Sequence, residues 1–165
     1  MAEAHPPETQ AGQADDQAAD QRRSEVLVVD ASATLAWVFD DERDEFAEAV
    51  LSRVAEAGAI VPAHWILEVT NGLLLAHRRR RLRPREHPVD ILDRLGRLPI
   101  RIDEETAVRA WRETTALAES FRLTTYDAAY LELALRLGAV LVTLDSGLSH
   151  AATSADVRIL APDGP

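Results

Sequence analysis

The chain has 165 residues, of which 47% are hydrophobic, enough for one domain with its own core. It contains no Cys, which excludes disulfides, thiolate nucleophiles and zinc sites built on Cys. All 18 basic residues are Arg, so every mechanism that needs a Lys is excluded too. The net charge of −10 argues against a general nucleic-acid coat. No apolar run approaches the roughly 18 residues of a membrane span, and we expect a cytoplasmic protein.

Residues 1–25 are polar and carry no hydrophobic period, which predicts a disordered acidic tail. A hydrophobic strand begins abruptly after them. We therefore expect the domain to cover residues 26–160, with a short C-terminal tail at 161–165. One hypothesis is that the native start lies near residue 26 and that the tail is a mis-assigned extension.

Short β-branched runs alternate with helical patterns along the rest of the chain. Such alternation is typical of crossover units, in which a parallel sheet has helices on both faces. The predicted strands are 26–29, 59–61, 99–102, 139–144 and 157–160.

Three helices have readable ends. A helix after the first strand can be capped by Ser32, and EETAVRAWRETTALAES (104–120) predicts one acidic-ended helix. A later helix begins after Thr124 or Thr125 and stops at Gly138, because Gly readily takes the left-handed conformation that ends helices.

Acidic residues follow two of the predicted strands. Asp30 ends the first strand and Asp145 follows the fourth. Because ligands bind at the carboxyl ends of parallel strands, these two carboxylates should point into one rim.

Two further acids lie on helices. In PAHWILEVTNGLLLAH (62–77), apolar residues surround nearly the whole helix axis, which predicts a largely buried helix interrupted by Glu68. Asn71 lies three residues on and could hydrogen-bond that carboxylate. Asp127 lies in the first turn of the helix that follows Thr124.

Each acid alone could be a helix-start or surface residue, but four acids at one edge of a sheet, in a chain with no Lys to neutralise them, require cations. Oxygen ligands select Mg²⁺ or Mn²⁺.

Four segments together resemble the motifs of a known family. They are VVDASATLAW (28–37), WILEVTNGL (65–73), TTYDAAYLELA (124–134) and LVTLDSGL (141–148). Their order and spacing resemble the PIN domain and, more narrowly, the VapC-type toxins of bacterial toxin–antitoxin pairs. The resemblance covers residues 26–160, and only the tail departs from it.

The resemblance implies a three-layer α/β/α fold with a five-stranded parallel sheet in the order 3-2-1-4-5. It also implies a Mg²⁺-dependent endoribonuclease, with Mn²⁺ as a substitute ion, a VapB-type antitoxin partner and a homodimer. By position, the catalytic and metal-binding quartet is Asp30, Glu68, Asp127 and Asp145, and the supporting residues are Ser32, Asn71 and Thr143. The alternative is a PIN-fold module that binds RNA or protein without cutting.

An acidic nuclease needs a local surface for its substrate. The segment HRRRRLRPRE (77–86) could bind RNA phosphates; it is otherwise a solvated helix end. The candidate RNA-binding residues are Arg78, Arg79, Arg80, Arg81 and Arg83.

The His and Trp residues are best interpreted as structural, surface or interface residues. We expect the scattered histidines to be structural or surface residues; they are His5, His64, His77, His87 and His150. We expect the tryptophans to lie in the core or in interfaces; they are Trp37, Trp65 and Trp111. A receiver domain is excluded by the absence of Lys, and a haloacid-dehalogenase phosphatase is disfavoured because Ser32 stands where it needs an Asp.

Overall fold

A computed structural model of the chain describes residues 25–39 and 44–162. The predictions for the tail, apart from Glu25, and for the last three residues lie outside the described residues. The strands are β1 (Leu27–Val29), β2 (Ala59–Val61), β3 (Ile100–Ile102), β4 (Val140–Val142) and β5 (Ile159–Leu160). They form one parallel sheet in the order β3-β2-β1-β4-β5, so the predicted fold is confirmed.

The helices of the described residues flank this sheet. They are α1 (Ala31–Ala36), α2 (Glu45–Ala57), α3 (Trp65–Arg78), α4 (Pro88–Leu95), α5 (Thr106–Arg109), α6 (Glu113–Phe121), α7 (Thr125–Leu137) and α8 (Ser146–Ser154). None of these helices is both long enough and apolar enough to cross a membrane.

The central strand β1 explains the position of the first acid. Its three residues are fully buried, as expected of a strand covered on both faces. Val29 pairs with Val142 of β4, and the N–H of Asp30 continues the ladder by donating to the carbonyl of Val142 at 3.0 Å. Asp30 therefore lies at the carboxyl edge of the sheet, where β4 also ends.

The boundaries of α7 agree with the sequence prediction. The hydroxyl of Thr124 accepts the N–H of Asp127 at 3.1 Å and caps the helix, and Gly138 ends it with a φ of 59°. The turn after α2 requires glycine both for its backbone conformation and because it has no room for a side chain. Gly58 follows α2 with a φ of 82°, and a Cβ there would lie 2.8 Å from the carbonyl oxygen of Pro99.

Two helix predictions were wrong. Ser32 does not cap α1, because the carboxylate of Asp30 already accepts the N–H of Ala33 and starts the helix two residues earlier. The segment 104–120 is not one helix. It divides into α5 and α6, since the backbone of Arg112 leaves the helical region at φ −136° and ψ −69°. The break redirects the chain so that α6 packs along α7.

The prediction that α3 is buried nearly all round was also wrong. Only one stripe of the helix is covered; it consists of Trp65, Val69, Leu73 and Ala76. The opposite side exposes a second apolar stripe, of which Leu67 is 70% exposed. A helical wheel shows how apolar each side is, but not which side the sheet covers. Of the tryptophans, Trp37 and Trp65 are buried as expected, whereas Trp111 is exposed.

Candidate active site

Asp30 is held by hydrogen bonds on both carboxylate oxygens. Its Oδ1 accepts the hydroxyl of Ser32 at 2.7 Å and the N–H of Ala33 at 2.8 Å, and its Oδ2 accepts the hydroxyl of Thr143 at 2.6 Å. The residue is only 5% exposed. Burial raises the pKa of Asp30 and the charge of Asp145 adds to this, while the three hydrogen bonds oppose the shift. The Asp30 carboxylate is thus held in one orientation, and its hydrogen bonds only partly offset the cost of burying its charge.

Asp145 lies just beyond β4, joined to Asp30 through polar residues. The hydroxyl of Thr143 accepts the N–H of Asp145 at 2.9 Å while donating to Asp30, and the hydroxyl of Ser32 accepts the N–H of Leu144 at 3.0 Å. Asp145 itself caps α8 by accepting the N–H of Leu148 at 2.7 Å. Ser32 and Thr143 therefore join the end of β1 to the end of β4.

Glu68 lies one turn into α3 and meets a tyrosine of α7. The hydroxyl of Tyr130 donates to its Oε2 at 2.6 Å. Burial raises the pKa of Glu68, the Tyr130 hydrogen bond lowers it, and the charge of Asp127 raises it again. Burial and the Glu68 carboxylate together raise the pKa of Tyr130 strongly, so its hydroxyl stays protonated and remains a donor.

A histidine also contacts Glu68. His64 immediately precedes α3, and its Nε2 lies 3.4 Å from Oε2 of Glu68. This nitrogen is buried without a hydrogen-bond partner, so the contact is one of proximity rather than of hydrogen-bond geometry. The pKa of His64 is lowered by burial, against the opposing effects of the Tyr126 backbone and the Asp127 charge. His64 therefore lies beside Glu68, a position that the sequence interpretation of a structural or surface residue did not specify.

Asp127 completes the set from the first turn of α7. Its Oδ2 accepts the hydroxyl of Thr124 at 2.6 Å, and it acts electrostatically on both Glu68 and His64. Electrostatic effects thus link Asp145 to Asp30 and Asp127 to Glu68. The charges of both Glu68 and Asp30 act on Tyr130.

The four acids receive hydrogen bonds but no arginine partner from the part of the chain that the structure describes. Within the described ranges no Arg forms an ion pair with any of the four acids. Elsewhere the fold does pair its buried acids: Arg136 contacts both Asp103 and Glu132. Oxygen donors with unpaired negative charge suit a hard divalent cation. However, no three His, Asp or Glu side chains of the described residues are drawn closely enough together to hold a metal ion.

Comparison with known proteins identifies the architecture. The sequence model of the PIN domain matches residues 27–153, which is most of the chain. The chain belongs to the PIN domain family. It is also 35% identical over 124 residues to Ribonuclease VapC3 of Pyrobaculum aerophilum, and this similarity covers 75% of the chain and 92% of that protein.

Solved structures share the PIN fold at low sequence identity. A chain of VapBC2 from Rickettsia felis, solved bound to a promoter DNA fragment, superimposes with a TM-score of 0.57 at 14% identity, covering 84% of this chain and 99% of that one. FitAcB from Neisseria gonorrhoeae gives a TM-score of 0.53 at 18% identity, covering 81% and 96%. These similarities support the fold.

Two residues of this PIN domain site were missed in the sequence, although a spacing signal exists for each. Tyr130 follows Asp127 by three positions and His64 precedes Glu68 by four, so each shares a helical face with an acid. In contrast, Asn71 is exposed, and among the described residues Glu68 receives its hydrogen bond from Tyr130 rather than from Asn71.

The arginine-rich segment lies at the far end of α3 from Glu68. Arg78, Arg79 and Arg80 are exposed. Arg81 places its guanidinium 4.5 Å from the ring centre of Phe39, and Arg83 lines a cavity of 340 Å³ beside α4. Arg81 and Arg83 therefore pack against the PIN domain, whereas Arg78, Arg79 and Arg80 present exposed side chains.

Proposed function

We propose that this PIN domain is a divalent-metal-dependent endoribonuclease and acts as the toxin of a VapBC-type pair. The observation that carries the proposal is a set of four carboxylates, at the β1–α1 junction, in α3, in α7 and at the β4–α8 junction, with which no arginine of the described residues forms an ion pair. The similarity to Ribonuclease VapC3 supports cleavage of RNA rather than of another phosphodiester.

The residues that would hold the metal are Asp30, Glu68, Asp127 and Asp145, and Mg²⁺ or Mn²⁺ fits their oxygen donors. A divalent ion bound there would supply polarisation of a phosphate oxygen and a lowered pKa for an attacking water. Ser32 and Thr143 keep Asp30 in one orientation by occupying both of its oxygens. Tyr130 does the same for one oxygen of Glu68. The N-terminus of α7 at Asp127 adds a partial positive charge that favours a bound phosphate.

Removal of divalent ions is expected to stop cleavage. Because the four carboxylates repel one another without a cation, Mg²⁺ or Mn²⁺ should also raise the thermal midpoint, through binding to the folded state alone. At ion concentrations about 100 times Kd the added stability is about 2.7 kcal/mol. The measurement is a thermal scan and an RNA cleavage assay, with chelator and then with added Mn²⁺. Full cleavage in excess chelator would contradict the proposal.

The exposed arginines at the end of α3 are expected to bind RNA phosphates. Changing both Arg78 and Arg79 to Gln should weaken RNA binding and reduce the slope of log K against log salt by about 1.4, at roughly 0.7 per lost single-strand phosphate contact. Binding would be measured with the Asp30→Asn protein to prevent cleavage.

The matched control changes Arg97 and Arg101, which are also exposed, to Gln. It removes the same net charge from another surface and should leave the slope unchanged. If the two double variants and the parent Asp30→Asn protein show equal slopes, the arginine-rich segment does not bind RNA.

The structural neighbours point to protein partners. VapBC2 and FitAcB are named as two-component assemblies, which supports a VapB-type antitoxin for this chain. The exposed apolar stripe of α3 is a surface of the kind that protein partners cover. It consists of Ile66, Leu67, Leu74 and Leu75. We propose that the toxin is a homodimer and that this stripe contributes to its contacts.

One observation favours a second function. The absence of a three-ligand group in the described residues suits a PIN-fold module that binds RNA or protein without cutting. Mapping the 5′ ends of RNA incubated with Mg²⁺ and the wild-type protein separates the two functions. New 5′-phosphate ends at fixed sites support the nuclease, and intact RNA supports the binding module.

A further inference from the structure

The hydroxyl of Tyr130 lies close to the elements that carry three of the acids. Tyr130 is 1% exposed and donates to Glu68 on α3. The backbone of Ala31, the residue after Asp30, has a smaller electrostatic effect on the hydroxyl and so lies near it. Asp127 lies three positions earlier on α7, hence on the same face of that helix. One buried hydroxyl thus binds Glu68 directly and lies near the segment that carries Asp30.

We propose that Tyr130 is a positioning residue that fixes the Glu68 carboxylate relative to Asp30 and Asp127. The inference rests on the proposed function, because it assigns the hydroxyl a purpose within the metal site. Tyr130 does not touch substrate in this scheme; it acts through Glu68.

Glu68 needs such a restraint more than the other acids do. Asp30 and Asp145 are short side chains that cap helices, whereas Glu68 has an additional rotatable bond and a side chain that is 31% exposed. Without a donor its carboxylate gains more hydration and more rotamers by turning outward, away from Asp127. The Tyr130 hydroxyl offsets both tendencies, since hydrogen bonds to a charged group are the stronger kind.

His64 cannot supply the missing restraint. Its Nε2 lies 3.4 Å from the carboxylate without hydrogen-bond geometry. Its ring instead packs between two tyrosines, with centroids 5.1 Å from Tyr130 and 5.4 Å from Tyr126. His64 therefore limits where Glu68 can move, and Tyr130 determines where it stays.

The test compares Tyr130→Phe with Tyr126→Phe. Each variant removes one hydroxyl from a ring that packs on His64, but Tyr126 is largely exposed. Mn²⁺ affinity is measured by the electron paramagnetic resonance signal of the free ion, without RNA. Tyr130→Phe is expected to weaken Mn²⁺ binding by about 10- to 100-fold, as removal of a partner behind a metal ligand commonly does. With saturating Mn²⁺ it should lower kcat and leave KM for RNA unchanged. Tyr126→Phe should change each value less than twofold.

A double-mutant cycle separates positioning from general support of the fold. In a Glu68→Gln background Tyr130→Phe should cause less than a twofold further loss of Mn²⁺ affinity, because the carboxylate it positions is absent. A loss of full size in that background would overturn the proposal, as would wild-type affinity in Tyr130→Phe alone. If the wild type binds Mn²⁺ but cuts no RNA, the nuclease proposal fails, while the Mn²⁺ cycle still decides the role of Tyr130.

Discussion

The Asp30→Asn variant is expected to cleave RNA about 10³-fold more slowly than the wild type, because loss of a metal-binding carboxylate removes several kcal/mol of transition-state stabilisation. It should also remain folded. Asn keeps an oxygen to accept hydrogen bonds, and it removes a buried charge whose pKa is raised by burial and by Asp145. A raised pKa means that folding disfavours the ionised form, so the metal-free variant should be at least as stable as the wild type at neutral pH.

The measurement combines single-turnover cleavage with the free energy of unfolding in urea, both without and with Mg²⁺. Asp93→Asn is the matched control, since Asp93 is an exposed acid on α4 and its loss should change neither rate nor stability. Cleavage by Asp30→Asn at the wild-type rate would remove this residue from the site. Products with cyclic 2′,3′-phosphate ends would show attack by the RNA's own 2′-hydroxyl and would contradict attack by water.

Replacing Arg136 by Met is expected to lower the free energy of unfolding by about 3 kcal/mol, because it removes the nearest cation from two buried carboxylates. Nη2 of Arg136 lies 3.0 Å from Oδ2 of Asp103, and Nε lies 3.1 Å from Oε1 of Glu132. Each of these two acids has a side chain that is only 7% exposed. Burial lowers the pKa of Arg136, but the hydrogen bond to Glu132 and the nearby Asp103 carboxylate raise it above its ordinary value. The contact at Nη2 is ionic in character, since its angle does not meet the geometry of a hydrogen bond.

Urea unfolding of Arg94→Met provides the comparison. The Arg94 side chain is 57% exposed and that of its partner Glu86 is 15% exposed, so the loss of Arg94 should reduce stability less than the loss of Arg136, which serves two buried acids. Adding Glu132→Gln to Arg136→Met should recover part of the loss, because one poorly compensated buried charge is removed. Equal losses at positions 94 and 136 would mean that the buried acids are hydrated in the folded protein.

The contrast between these two acidic groups has a functional consequence. Among the described residues, Arg136 pairs with Asp103 and Glu132, whereas no arginine pairs with any of the four predicted acids. We therefore expect a cation from solution to bind at the four predicted acids.

The sequence by itself determined the sheet and the location of the site. The alternation of apolar runs and helical patterns predicted the strands and a parallel sheet, and the four motifs, through their resemblance to the PIN domain, implied the strand order and the positions of the acids. These features were readable because each depends on local residue patterns: a buried strand is apolar throughout, and Thr124 and Gly138 mark the ends of α7 by their own chemistry.

Only the tertiary structure decided which faces are covered and which side chains meet. The apolar wheel of α3 did not reveal that one stripe is exposed, because coverage depends on where the sheet and the neighbouring helices lie. Likewise Tyr130 and Glu68 are 62 residues apart, and their 2.6 Å hydrogen bond follows from the packing of α7 near α3 rather than from any local pattern. The same long-range packing brings Arg136 to Asp103, while none of the arginines in residues 25–39 and 44–162 pairs with Glu68.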